Sequence, residues 1–93
     1  MAKAVVTIKI MPESPETNLE TIKEIASNKI DTFTGEQGEK RYEIEPIAFG
    51  LKALKITFVM DENIGSTDSL EQELGTINGV NSVDVVDVRR AIG

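Results

Sequence analysis

The sequence predicts an α+β fold, a four-stranded antiparallel sheet with two helices packed on one of its faces. Three observations predict it. β-branched stretches alternate between two faces at a period of two residues. Two other segments place apolar residues at helical spacing behind hydroxyl-bearing caps. These segments follow the order β-α-β-β-α-β along a chain of 93 residues, the length of one domain, so residues 1–93 are expected to form a single domain.

The elements follow in order. Val5 to Met11 alternates, with Val6, Ile8 and Ile10 on one face and Val5, Thr7, Lys9 and Met11 on the other, and this predicts a strand with one face buried. Pro12 and Pro15 break it, because proline removes a donor and fixes φ. Thr17-Asn18-Leu19-Glu20 reads as a capping box, and Leu19, Ile22, Ile25, Ala26 and Ile30 then keep helical spacing, so a helix is expected over about residues 17–30. Residues 31–40, with Gly35 and Gly38, read as a loop. Tyr42, Ile44 and Ile47 mark a second strand, and Pro46 argues that it lies at a sheet edge.

Leu51 to Met60 is the third strand, with Leu54, Ile56, Phe58 and Met60 facing inward, and its hairpin to the second strand turns near residues 48–51. Ser66 or Thr67 caps a second helix whose apolar stripe is Leu70, Leu74 and Ile77; Gly75 weakens it and Asn78-Gly79 ends it. Val80 to Arg90 is the last strand, and the adjacent Val85-Val86 breaks its alternation in the manner of a β-bulge.

Right-handed crossovers reduce this order to the ferredoxin-like plait, with sheet order 4-1-3-2. Strands 1 and 3 are expected to run together and strands 2 and 4 against them. On that expectation Phe49 at the hairpin tip and Arg89-Arg90 on the last strand share one end of the sheet, roughly 10 Å apart at ~4.8 Å per strand.

Composition excludes whole classes of chemistry. There is no Cys and no His, which removes disulfides, thiolate nucleophiles, Ser–His triads and nearly all zinc catalysis. The 16 acidic against 10 basic residues give a net charge of -6, which opposes non-specific contact with nucleic-acid phosphates. Neither a phosphate-binding G-x-x-x-x-G-K-[ST] nor a G-x-G-x-x-G occurs, so no bound cofactor is expected. Asp61-Glu62-Asn63-Ile64-Gly65 resembles a calcium loop only at its start, and no metal is expected there. Lys40-Arg41, Lys52 and Lys55 read as solvated strand charges. No run of apolar residues is long enough to span a bilayer, and the N-terminus lacks the form of a signal peptide, so a cytoplasmic location is expected by default.

Two features stand out. Phe49, beside Gly50 at a tip, is a candidate aromatic anchor for a partner's pocket. Arg89-Arg90 can present a cation to phosphate or carboxylate groups. Phe49, Gly50, Arg89 and Arg90 are therefore the candidate partner-binding residues.

Three segments resemble the archaeal translation elongation factor 1-beta family: Thr17-Asn18-Leu19-Glu20 behind a proline-containing turn, Pro46-Ile47-Ala48-Phe49-Gly50-Leu51 at the hairpin, and Val80-Asn81-Ser82-Val83-Asp84-Val85 in the closing strand. The resemblance implies a guanine-nucleotide exchange factor acting on elongation factor 1-alpha, a GTPase of protein synthesis, without covalent chemistry. It implies that Phe49 enters the GTPase and that Arg90 lies near its magnesium and phosphate site. Arg90 stands where the eukaryotic relatives have a near-terminal lysine, and a planar fork replaces a point charge. The resemblance further implies a bare exchange domain, monomeric when free. The rival reading is a small regulatory ligand-binding module, a frequent use of this plait.

Overall fold

A computed structural model describes residues 3–35 and 37–91. The elements are β1 (Lys3–Pro12), α1 (Leu19–Thr34), β2 (Lys40–Pro46), β3 (Lys52–Asp61), α2 (Asp68–Gly75) and β4 (Val80–Ala91), with one 3₁₀ turn over Glu62–Ile64 between β3 and α2. The strands form one sheet in the order β2-β3-β1-β4, the expected order read from the other edge. Every neighbouring pair is antiparallel. The strand directions therefore correct the sequence-based expectation: β1 runs against β3, and β3 and β4 run the same way on either side of it. The cause is topological. The helix between β3 and β4 is a crossover, which returns the chain to the end where β3 began.

Helix α1 begins two residues later than expected and ends four residues later. Asn18, not Thr17, is the cap: its side-chain oxygen accepts from the backbone N–H of Glu20 and Thr21 at 3.0 and 3.3 Å. The Thr17 hydroxyl instead accepts from the Ser14 N–H at 3.2 Å and closes the preceding turn. At the far end Phe33 continues the spacing of Ile30 and packs on the core. Gly35 stops the helix in a left-handed conformation, φ 79°, its N–H donating to the Asp31 carbonyl at 2.9 Å.

The core lies between the helices and one sheet face. Val6, Ile8 and Ile10 of β1 and Leu54, Ile56, Phe58 and Met60 of β3 pack against Ile22, Ala26 and Ile30 of α1 and Leu70 and Leu74 of α2. These are the positions the two periodicities select. Ile77, beyond the end of α2, is also buried and closes the bottom of the core. Pro46 ends edge strand β2, where its missing donor breaks no ladder. Lys40 is not a solvated charge: its ammonium, largely covered, donates to Asp31 of α1 and ties the edge strand to the helix.

Gly79 shows how tightly the turn before β4 meets α1. Its φ is 95°, and a Cβ there would stand 3.0 Å from Thr17 Cγ2 and 3.7 Å from Ile22 Cδ1. Its carbonyl accepts from Glu13 N–H at 2.9 Å, joining the β1–α1 loop to this turn. Gly79→Ala is expected to lower stability by about 1–2 kcal/mol from the left-handed backbone alone. Thermal melting reads this, and an unchanged melting temperature contradicts it.

Candidate functional site

The hairpin between β2 and β3 turns on Ala48–Leu51. Leu51 N–H donates to the Ala48 carbonyl at 3.0 Å, and Ile47 N–H to the Leu51 carbonyl at 2.8 Å. The two central residues both have positive φ, 57° at Phe49 and 79° at Gly50, the signature of a type I′ turn. Glycine is the natural occupant at Gly50, where a Cβ would find only ordinary contact with Pro15, so conformation rather than space selects it. Phenylalanine at the other position is unusual. It is the only non-glycine residue with positive φ among the described residues, and that conformation costs roughly 1–2 kcal/mol.

Folding returns nothing for that cost, because Phe49 is 96% exposed. Phe49 therefore does not fold back under the helices. Around it Ile44 and Ile47 are exposed as well. A shallow groove of about 420 Å³ lies alongside, lined by apolar Pro12, Pro15, Leu19 and Ile44 and by polar Ser14, Thr17, Asn18, Glu20 and Lys52, with Gly50 at its edge. A strained, exposed aromatic flanked by exposed Ile44 and Ile47 is a shape for insertion into another molecule's pocket.

Arg89 and Arg90 sit near the end of β4. Beyond the bulge the register is regular, with Asp87 opposite Thr7, Val88 opposite Val6, Arg89 opposite Val5 and Arg90 opposite Ala4. Ile8 faces Val85, so Val86 is the extra residue and the bulge lies where the sequence places it. Arg90 therefore shares the helix-bearing face with Ala4, and Arg89 points to the open face with Val5. The tail beyond, Ile92-Gly93, lies outside the described residues.

The structure does not bring Phe49 and the arginines together. Arg90 lies across Ala4 from Met60, near the end of β3, whereas Phe49 precedes its beginning at Lys52. Eight residues of strand at ~3.4 Å each place these ends roughly 27 Å apart. The 10 Å adjacency expected from the sequence is absent because β1 runs against β3 rather than with it.

Both arginines are held by carboxylates of this chain. Arg89 Nε donates to its near neighbour Asp87 at 2.9 Å. Arg90 makes a bidentate contact with Glu62 of the 3₁₀ turn, Nε to Oε2 at 2.7 Å and Nη2 to Oε1 at 3.0 Å. The hydrogen bonds from Arg90 hold the Glu62 carboxyl below its ordinary range, and the same bonds raise Arg90. Glu62 was not singled out from the sequence, where a contact across 28 positions leaves no signal. The segment read as a failed calcium loop is what supplies it: Asp61 accepts from Asn63 N–H at 2.9 Å and caps the turn.

A larger groove, about 560 Å³, lies elsewhere, between α1 and α2, lined by Ile25, Thr32, Phe33, Leu70 and the Lys29–Glu73 ion pair.

The chain is similar to known proteins. A family model described as the EF-1 guanine nucleotide exchange domain matches residues 5–91. A protein of Methanosphaera stadtmanae named elongation factor 1-beta is 44% identical over 90 residues, covering 97% of this chain and 98% of its own. Proteins of the same name from Methanothermobacter thermautotrophicus and Staphylothermus marinus are 41% and 44% identical over 92 residues, each match covering 97% of this chain and 98% of the relative.

Proposed function

Because the chain belongs to the family of EF-1 guanine nucleotide exchange domains, and so is a guanine-nucleotide exchange factor of translation elongation, we propose that elongation factor 1-alpha is the GTPase it acts on. Phe49 is the wedge and Arg90 the cation that reach the GTPase, with Gly50 holding the tip and Arg89 turned to the other face. Residues 1–93 act as one exchange domain, monomeric when free, in the cytoplasm, without covalent chemistry. The observation that supports this reading best is Phe49, an exposed aromatic held at φ 57° with no role in the core.

Exchange needs only differential binding. A factor that prefers the nucleotide-free GTPase lowers nucleotide affinity by the same factor, by linkage. An aromatic in a pocket stabilises a displaced switch geometry. A guanidinium brought near a magnesium and phosphate site competes electrostatically with the metal. With the two groups at opposite ends of the sheet, they engage separate regions of the GTPase, so either contact can be removed without the other.

The reading is tested by stopped-flow release of fluorescent GDP from elongation factor 1-alpha, with and without this protein. Acceleration is expected; no acceleration at saturating protein contradicts the choice of GTPase. In the same assay Arg90→Ala is expected to slow release while largely preserving affinity for the nucleotide-free GTPase, since a rim cation contributes modestly to standing affinity. Arg89→Ala is the control on the opposite face. Equal rates for wild type and both variants would remove the cation from the mechanism.

A further inference from the structure

Arg90 reaches solvent already holding a ligand. Its Nε and Nη2 form one of the two edges of the guanidinium that can grip a phosphate or carboxylate as a planar fork, and that edge is given to Glu62 at 2.7 and 3.0 Å. The clamp differs from the one on Arg89. Asp87 is two positions away on the same strand and contacts through one nitrogen, whereas Glu62 arrives from a separate capped turn and grips through two. The turn is well built for this. Asp61 fixes its start, and Gly65, with φ 86°, ends it and donates its N–H to the Glu62 carbonyl at 3.2 Å. One carboxylate thus anchors a long, otherwise mobile side chain on the helix-bearing side of the sheet end.

Resting on the assignment of Arg90 as the cation of the exchange reaction, we propose that Glu62 is a positioning residue that competes with a phosphate-type oxyanion for the Arg90 fork. The two ligands cannot share the same pair of donors. An oxyanion that takes the Nε–Nη2 edge displaces Glu62, and the departing carboxylate is left beside that site as an unpaired negative charge. Glu62 therefore holds the guanidinium in a defined place and opposes its transfer. An exposed ion pair of this kind is weak, so the opposition amounts to about two- to five-fold in affinity or rate. A neutral amide at the same position keeps the shape of the turn and loses the charge.

Two measurements on the full chain separate this proposal from the assignment on which it rests. In the free protein, the Arg90 Nε–H resonance is followed by NMR during titration with inorganic pyrophosphate, for wild type and Glu62→Gln. The resonance is expected to move toward that of a free arginine in Glu62→Gln and to respond to about two- to five-fold lower pyrophosphate. An Nε–H unaffected by the substitution, or equal pyrophosphate titrations, overturns the competition. In the GDP-release assay, Glu62→Gln is expected to accelerate release about two- to five-fold below saturation, with no gain in the Arg90→Ala background. Slower or unchanged release by Glu62→Gln, where Arg90→Ala alone does slow release, overturns the proposal for exchange. Release unaffected by Arg90→Ala overturns the assignment of Arg90 instead, and the pyrophosphate titration then still decides whether Glu62 competes.

Discussion

Ile56→Ala lowers stability by about 2–5 kcal/mol, the range for a fully buried large-to-small change that leaves a cavity. Ile56 has no exposed surface. It lies mid-strand on β3, between Ile8 of β1 and Tyr42 of β2, and its neighbours Leu54 and Phe58 point the same way into the helices. Nothing at this position can collapse easily, because both flanking strands are fixed by their own ladders. At a urea m-value of about 1–3 kcal/mol/M for a small domain, the loss moves the midpoint down by about 1 M or more. An unchanged midpoint contradicts the packing described for β3.

Phe49→Ala abolishes most of the exchange activity and leaves the fold standing. Buried hot-spot aromatics cost about 2 kcal/mol or more on truncation, which is about 30-fold in affinity for the nucleotide-free GTPase. The same residue is exposed in the free chain, so its removal takes nothing from the core. Phe49→Gly sharpens the test. Glycine relieves the positive φ, which costs phenylalanine roughly 1–2 kcal/mol, so this variant is expected to melt no lower than wild type while losing activity. Activity falling as stability holds or rises identifies a group retained for binding. A parallel fall in both quantities would instead make Phe49 a structural residue.

Much of the fold is legible in the sequence because the two periodicities are clean. Val6, Ile8 and Ile10, and again Leu54, Ile56 and Phe58, alternate without error and are all buried. The bulge is visible as adjacent valines at positions 85 and 86, since one residue of slip is the only way to keep both sides of β4 in phase. The end of α1 was misplaced because Asp31 and Thr32 look like loop residues. The helix in fact continues to bury Phe33, and Gly35 rather than the first polar residue is the stop. Strand direction was misjudged because local pattern carries no sign. It follows from the connections, since the α1 crossover makes β1 and β2 run together and the hairpin turns β3 against both, as the pairing of Ile8 with Ile56 and Ile10 with Leu54 shows.

At the candidate site the sequence pointed to Phe49 and Gly50 by composition and spacing, but not to the strain that makes Phe49 informative. Backbone conformation at a turn depends on how the two strands close, and only Gly50 hints at it. Glu62 was invisible for a different reason. Its partner is distant in the chain, and a single glutamate in an acidic protein has nothing to distinguish it.

The antiparallel pairing of β1 with β3 makes the molecule a calliper. Its jaws are the aromatic tip and the guanidinium, and its beam is two central strands laced by a hydrogen-bonded ladder from Lys3–Asp61 to Ile10–Leu54. A beam of this kind does not stretch: the roughly 27 Å of strand between Lys52 and Met60 is fixed by strand rise, so the two proposed contacts keep a set separation. Nor can it be adjusted in small increments. Adding one residue to a central strand turns every later side chain to the wrong face, so the gap can change only in paired steps of about 6.8 Å. The bulge at Val86 adds a second rule, since it sets which arginine stands on the helix side; were Val86 paired as an ordinary ladder residue, Arg89 would stand opposite Ala4 and Arg90 would turn away.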